Sequence, residues 1–520
     1  MSVSTPPVSS PTRTPRRARP VAILAVVLVA ALAINVETTI VNVALPTLNS
    51  ALGASTRALQ WIVDAYNLAF AALVLAGGTI GDRFGRRGTL ISGLLLFAVS
   101  SVGAALCTST GPLIAMRLVM GVASALIFPT TLAIITDTFR EPRQRAAAIG
   151  VWGAVTGLGV AIGPILGGAL LEEFWWGSLF LALAPIALVA ALAAPIVIPR
   201  SNPVRQHHLD RGGLVLSVIM LGALVYTIIE APDRGWASVP TLAGFAVALI
   251  AGLGFAWWER RHPEPLIDVS LFTNLRFSAA SGAVTVAFFA LFGFIFLITQ
   301  FMQLLQGNSP LETGVRILPV ALSIAIGSII GTRLAVTRIG TKVVVFVGLL
   351  LLAAAFGWIA ASDLSVTYPT MAMQMVLLGG GLGLTTAPAT DSIMGVVRPE
   401  QAGAGSAVND ATRQVGGTLG VAVIGSIFST LYIRHLADSQ ALGAMPADAQ
   451  SVAREGLAQG LAVAGQAPPP FAAAVHGAVD NAFLAGMQAG CLTAAAVCLA
   501  GAVFVLAVLP AHPRMALPES

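Results

Sequence analysis

The feature that most constrains this chain is the recurrence of long apolar stretches. A helix needs ~20 apolar residues to cross the hydrocarbon of a bilayer. Fourteen such stretches follow one another, near 21–45, 59–80, 89–107, 111–136, 146–171, 178–198, 212–230, 239–258, 277–304, 314–336, 342–361, 367–390, 402–431 and 483–509. They carry Gly and Ala without period-two alternation, which predicts helices and not the strands of a barrel. The chain is 56% hydrophobic and only 10% charged, against about 25% charged in a soluble domain. Its 53 glycines suit close helix packing in lipid. The expectation is an all-α polytopic membrane protein with fourteen transmembrane helices.

Basic residues give the orientation. Of 28 Lys and Arg, 21 fall in the two terminal tails and in alternate loops. Only Arg57, Arg234, Arg434 and Arg454 sit in the intervening loops, with Arg316 near them and Arg117 and Arg413 inside spans. The positive-inside rule then puts both termini in the cytoplasm, and an even number of spans agrees. The basic residues form no single soluble face, so nucleic acid is not an expected partner. Residues 1–20 hold five prolines and four arginines and read as a disordered basic tail. Cys107, Cys491 and Cys498 read as packing residues.

The chain divides into a six-span bundle (21–200), two inserted helices (201–262) and a second six-span bundle (263–510), closed by a short tail (511–520). Residues 434–481 read as a long extracytoplasmic loop. Two segments echo across the halves. GDRFGRRG (81–88) follows span 2, and a degraded basic turn (331–342) follows span 10. REPRQRAAAIG (140–150) follows span 4, and RPEQAGAGSAV (398–408) follows span 12. Parallel repeats of this kind imply two bundles around a midplane site.

Charge inside a membrane helix costs roughly 2.5–3.5 kcal/mol on insertion scales, so intramembrane charges mark candidate sites. Glu37, Asp64 and Arg117 each sit about 10 Å below the same surface, at ~1.5 Å per residue. If they meet, Arg117 holds one carboxylate ionised, and the other is placed to take up a proton. The alternative is a structural ion-pair network. Asp410 and Arg413, at i and i+3 on span 13, are either a self-neutralised pair or part of a substrate cavity. Gln300 and Gln303, with Gln306, put amides beside an aromatic run (Phe288, Phe289, Phe292, Phe296), a lining suited to an amphipathic ligand. Gly81, Gly85 and Gly88 allow a tight turn carrying Asp82, Arg83, Arg86 and Arg87, which can latch two bundles in one conformation. Gly157, Gly163, Pro164, Gly167 and Gly168 make a flat, kinked face on span 5. No Walker loop, metal cluster or catalytic constellation is present in the sequence, and no enzyme activity or cofactor is expected.

These motifs resemble the fourteen-span drug:proton antiporter branch of the major facilitator superfamily, the EmrB/QacA-like group, over about 21–433. GDRFGRRG is similar to the superfamily's signature between spans 2 and 3. Arg117 with Gly121 resembles its span 4 arginine motif, which the family associates with proton transfer. Gly163-Pro164 with Gly167-Gly168 resembles the antiporter motif of exporters. ETTIVNVALP (37–46), WIVDAYNLAF (61–70) and QGNSPLETGVRILP (306–319) are similar to stretches of that group, although span 1 carries Glu37 where the group usually has Asp.

The resemblance implies a major facilitator fold of two six-helix bundles plus two inserted helices. It also implies a monomer in a bacterial cytoplasmic membrane, driven by the proton gradient through Asp64, Glu37 and Arg117. The expected activity is proton-coupled efflux of lipophilic, cationic drugs by alternating access. A dedicated exporter of one endogenous antibiotic, lipid or siderophore is the alternative. A non-transporting membrane sensor would have no need of intramembrane carboxylates.

Overall fold

The structure is a computed structural model and describes residues 20–199, 210–336, 339–397 and 402–510. Both terminal tails, the His207-His208 pair, Arg338 and Arg398 lie outside the described residues. Each apolar stretch is helical, because a helix satisfies its own backbone where no water can. In chain order the long helices are α1 (Pro20–Val43), α2 (Thr56–Phe84), α3 (Arg86–Ala105), α4 (Thr110–Thr138), α5 (Pro142–Glu173), α6 (Ser178–Val197) and α7 (Arg211–Arg234). They continue as α8 (Val239–Glu259), α9 (Leu275–Gln300), α10 (Leu318–Val336), α11 (Gly340–Ala360), α12 (Tyr368–Met394), α13 (Ala402–Ala437) and α14 (Pro469–Val508).

Thirteen helices among the described residues are long and apolar enough to cross a membrane. The remaining long helix, α12, has 27 residues, but Gly379–Gly383 and Thr385-Thr386 dilute its apolarity. It packs against α10 and α11, where the missing side chains matter. A Cβ at Gly379 would lie 2.4 Å from the Val320 carbonyl oxygen, and one at Gly383 2.4 Å from that of Ile324. Small residues here let backbones approach in place of a hydrophobic drive that lipid does not supply.

α1–α6 form one bundle and α9–α14 the other, with the same pairing in both. The first helix packs on the fifth and sixth, the second on the fourth, and the third on the fourth and sixth. The sequence echo is thus an echo in packing. α7 and α8 pack on each other, and α7 leans on the junction of α2 and α13. Val225, Ile228 and Ile229 bury against Ala422 there, beside Trp61.

Segment 434–481 is largely helical. It holds short helices at Gln440–Gly443, Ala447–Arg454 and Leu457–Gln466, and α14 starts at Pro469. Proline is at home in a first turn, where its missing N–H would be unpaired anyway, and the alanines that follow are strong helix formers. The segment packs on one face of the molecule. Thr56 N–H donates to the Glu455 carbonyl at 2.8 Å, Asn49 Nδ2 to Gln459 Oε1 at 3.0 Å, and Tyr432 Oη to the Gly456 carbonyl at 3.0 Å.

The two bundles meet closely on that same face, opposite the chain termini. Gly168 of α5 has no room for a Cβ, which would sit 2.6 Å from Leu311 Cα. Gln303 Nε2 donates to the Val43 carbonyl at the end of α1 (2.8 Å). Gln60 Nε2 of α2 donates to the carbonyls of Val421 and Ala422 on α13 at 3.3 and 3.2 Å. Toward the face of the termini α5 stands clear: Cβ atoms at Gly150, Gly153 and Gly157 would meet nothing within 4 Å.

Candidate functional site

The buried charges are assembled by a close helix approach. At Gly121 a Cβ would lie 2.4 Å from the Tyr66 carbonyl, so only glycine lets α4 press this tightly on α2. One turn away on α4, Arg117 then reaches across α2. Its Nε donates to the Ile62 carbonyl at 2.8 Å, and its guanidinium lies 4.5 Å from the centre of the Tyr66 ring. Its Nη1 forms an ion pair with Glu37 Oε1 of α1. Arg117 and Glu37 are 1% and 0% exposed, so water screens neither charge. Tyr66 is fixed in turn by bonds to Ser124 Oγ (2.9 Å) and the Ile34 carbonyl (3.3 Å).

Asp64 stands apart from this network. It is 0% exposed, and neither carboxylate oxygen has a hydrogen-bond partner among the described residues. The reason is angular. At about 100° per residue, Asp64 lies some 200° around α2 from Ile62, the residue whose carbonyl Arg117 takes. Asp64 shares its face instead with Gln60 and Asn67, at i−4 and i+3. Gln60 contacts α13, and Asn67 likewise has buried side-chain atoms without partners. Equal depth therefore brings Glu37 and Arg117 together and leaves Asp64 on the side of the bundle seam. Gln60, Asn67, Tyr66 and Ser124 were not singled out from the sequence. The polar row Gln60–Asp64–Asn67 was the signal that could have found two of them.

On α13, Asp410 is buried and makes no ion pair with Arg413 among the described residues. Arg413 turns to α9 and α12 instead. Its guanidinium is 5.4 Å from the Phe288 ring centre, and Nη2 is 3.4 Å from Thr390 Oγ1. The glutamines expected to line a cavity have their donors engaged. Gln300 Nε2 bonds the Phe296 carbonyl of its own helix at 2.9 Å, Gln303 closes the end of α1, and Gln306 Nε2 bonds the Val366 carbonyl at 3.1 Å.

The 81–88 turn is made by Gly85, whose φ of +96° suits a residue without Cβ. Asp82 and Asp137 flank Arg86 at 2.8 and 2.6 Å, and Arg87 Nη1 donates to the Ile198 carbonyl at 3.2 Å. The Arg83 guanidinium lies 5.3 Å from the Phe84 ring centre. These contacts fasten α2 and α3 to the ends of α4 and α6, within one bundle. On α5, Gly157 faces open space, whereas a Cβ at Gly163 would lie 2.0 Å from Thr39 Oγ1 and one at Gly167 2.9 Å from Ile40 Cγ1. Gly163 and Gly167 therefore set the contact with α1, and Gly168, one turn after Pro164, sets the contact with the second bundle.

Known proteins place this arrangement. The family model described as Major Facilitator Superfamily matches residues 26–421. The chain is 34% identical over 496 residues to the multidrug efflux pump LfrA of Mycolicibacterium smegmatis, covering 95% of this chain and 97% of that one. It is 34% identical over 467 residues to the methyl viologen resistance protein SmvA of Salmonella typhimurium, covering 89% and 92%. Among solved structures it is similar to a bacterial homologue of the human lysosomal transporter Spinster in an inward-facing, occupied conformation. There the TM-score is 0.64 at 19% identity, over 95% of this chain and 97% of that one. That likeness establishes the fold. The chain is a multi-pass membrane protein that belongs to the major facilitator superfamily, among its drug-efflux transporters.

Proposed function

We propose that this protein exports lipophilic cations from the cytoplasm in exchange for protons, and that Asp64 is the carboxylate the two compete for. The observation that carries the reading is the contrast between two buried acids. Glu37 is neutralised in place by Arg117, whereas neither oxygen of Asp64 has a hydrogen-bond partner among the described residues. A lone buried carboxylate is costly, and it is relieved either by a proton or by a cation. One site that takes either but not both is the minimum for exchange. The resistance named for SmvA, to methyl viologen, is resistance to a flat organic dication, which fits such a site.

The basic loops assign the face of the termini to the cytoplasm. With that orientation the bundles touch on the outer side, while α5 stands clear of its neighbours on the inner side, which supports loading of substrate from the cytoplasm. Protonation of Asp64 from outside discharges the cation, and the neutral carboxyl then crosses the seam at lower cost, which biases the two-state equilibrium. The Glu37–Arg117 pair holds α1, α2 and α4 as one body through the cycle.

The test is energised efflux of ethidium from bacteria expressing matched amounts of wild type, Asp64→Asn and Glu37→Gln. The reading requires efflux by wild type that stops with an uncoupler and is abolished in Asp64→Asn. Pumping that survives collapse of the proton gradient refutes the coupling. A wild type that never moves the dye refutes the broad-drug claim and leaves a dedicated exporter.

A further inference from the structure

A second pair of buried acids lies at the other end of the molecule, outside the apolar spans and away from the exchange site. Asp210 immediately precedes α7, and Glu259 is the last residue of α8; they are 2% and 3% exposed. Each has one satisfied oxygen. Asp210 Oδ1 accepts from Gly213 N–H (2.9 Å), capping α7, and from Trp258 Nε1 (2.8 Å). Glu259 Oε2 accepts from Ile267 N–H (3.0 Å), in the linker that leads to α9. The other oxygens, Asp210 Oδ2 and Glu259 Oε1, have no hydrogen-bond partner among the described residues.

Those two orphaned oxygens face each other. A Cβ placed on Gly213 would lie 2.6 Å from Asp210 Oδ2 and 2.1 Å from Glu259 Oε1, so both crowd the space glycine leaves. The two oxygens therefore lie in one small gap, less than about 5 Å apart. No arginine pairs with either among the described residues. Arg211, Arg260 and Arg261 are exposed, the last lying 4.5 Å from the Trp257 ring centre. His262 Nδ1 is 3.8 Å from Asp210 Oδ2 and also contacts the Glu264 carbonyl at 2.9 Å. Asp268 caps the turn Val269–Thr273. On the neighbouring helices, Arg83 lies over Phe84, Asp82 pairs with Arg86, and Arg413 turns to Phe288.

Two ionised carboxylates cannot share a buried site, but a carboxylic acid and a carboxylate can, through one short hydrogen bond. We propose that Asp210 and Glu259 bind a single shared proton, and that this acid–carboxylate bond closes the α7–α8 hairpin and holds Glu259 in place to take the Ile267 N–H of the 260–274 linker. Loss of the proton to water turns a pair of charge −1 into two repelling charges and frees the linker at the face of the termini. The site is thus a proton-binding switch distinct from Asp64, reading the pH of the compartment on that face.

The sign follows from linkage. With the clip open, both groups are ordinary carboxyls, ionised above about pH 5. With it closed, the pair keeps one proton. Where both conditions hold, the closed form binds one proton more, so each pH unit upward favours opening by about tenfold.

The test is hydrogen exchange by mass spectrometry on the full chain in lipid nanodiscs, following peptides that cover 262–274 between about pH 5.5 and 9. The intrinsic pH dependence of exchange is divided out with the same peptides unfolded. Wild type is expected to lose protection by about a further tenfold per pH unit over part of this range. Glu259→Gln and Asp210→Asn each supply an amide N–H in place of the proton, and protection in both is expected to stay flat. Either variant suffices if the other does not fold. Flat protection in wild type, or an equally steep loss in a folded variant, overturns the proposal.

Discussion

Replacing Glu37 by Gln tests whether the α1–α4 ion pair is structural. The side chain keeps its length and an amide oxygen that accepts from Arg117, so the packing of α1 is preserved. The negative charge is lost, and Arg117, 1% exposed, is left with neutral partners among the described residues: the new amide oxygen, the Ile62 carbonyl and the Tyr66 ring. Breaking a buried pair from one side costs about 3–5 kcal/mol, because an uncompensated charge remains. The retained acceptor and the cation–π contact argue for the low end, about 3 kcal/mol. For a chain of this size a kcal/mol moves the melting temperature by roughly 1–2 °C, so a drop of about 3–6 °C is expected. The assay is thermal unfolding of the purified protein in detergent at one scan rate, with Arg117→Gln and the double variant alongside. The double variant removes both charges and should recover at least half of the loss. Additive losses would show that the two residues do not act as a pair and would refute the reasoning.

Gly157→Ala should leave expression and melting unchanged, because its Cβ meets nothing within 4 Å. Gly163→Ala puts a Cβ 2.0 Å from Thr39 Oγ1 and should lower stability by about 1–3 kcal/mol in the same assay. Gly168→Leu drives a side chain into Leu311, where the bundles meet opposite the termini. It should raise labelling by an impermeant maleimide of a single cysteine placed at Ser429, which is 9% exposed on α13 one turn from Gly425 beside Gln60, and unchanged labelling would count against Gly168 holding that end closed. Gln60→Leu removes the amide that joins α2 to α13 and should raise labelling at the same position.

Much of the architecture was legible because lipid leaves the backbone so few options. Apolar length placed the helices, and the echo of basic turns gave the two-fold repeat that packing repeats. What the sequence hid has physical causes. α12 falls on the expected stretch 367–390, but its closeness to α10 and α11 comes from glycines that give no apolar signal. α14 begins at Pro469, ahead of its apolar stretch, because helix propensity and hydropathy change at different residues. In the candidate site, depth along a helix could be counted, and it brings Glu37 to Arg117. The angle around the helix separates Asp64 from both. Arg413 was readable as a neighbour of Asp410 by spacing, but the aromatic ring of Phe288 belongs to another helix and competes for it. Gln303 has the chemistry of a ligand contact, yet the end of α1 supplies an unpaired carbonyl nearer to hand.

The central claim is that one carboxylate, Asp64, binds either a proton or the exported cation. The most direct measurement is proton release on cation binding. Tetraphenylphosphonium is added to the purified protein in weakly buffered detergent with a pH-indicating dye, and binding is followed in parallel by calorimetry. Wild type should release about one proton per cation bound at a pH where Asp64 is protonated in the free protein, and Asp64→Asn should release none. Undiminished proton release by Asp64→Asn, or binding to wild type with no release at any pH, would contradict the account.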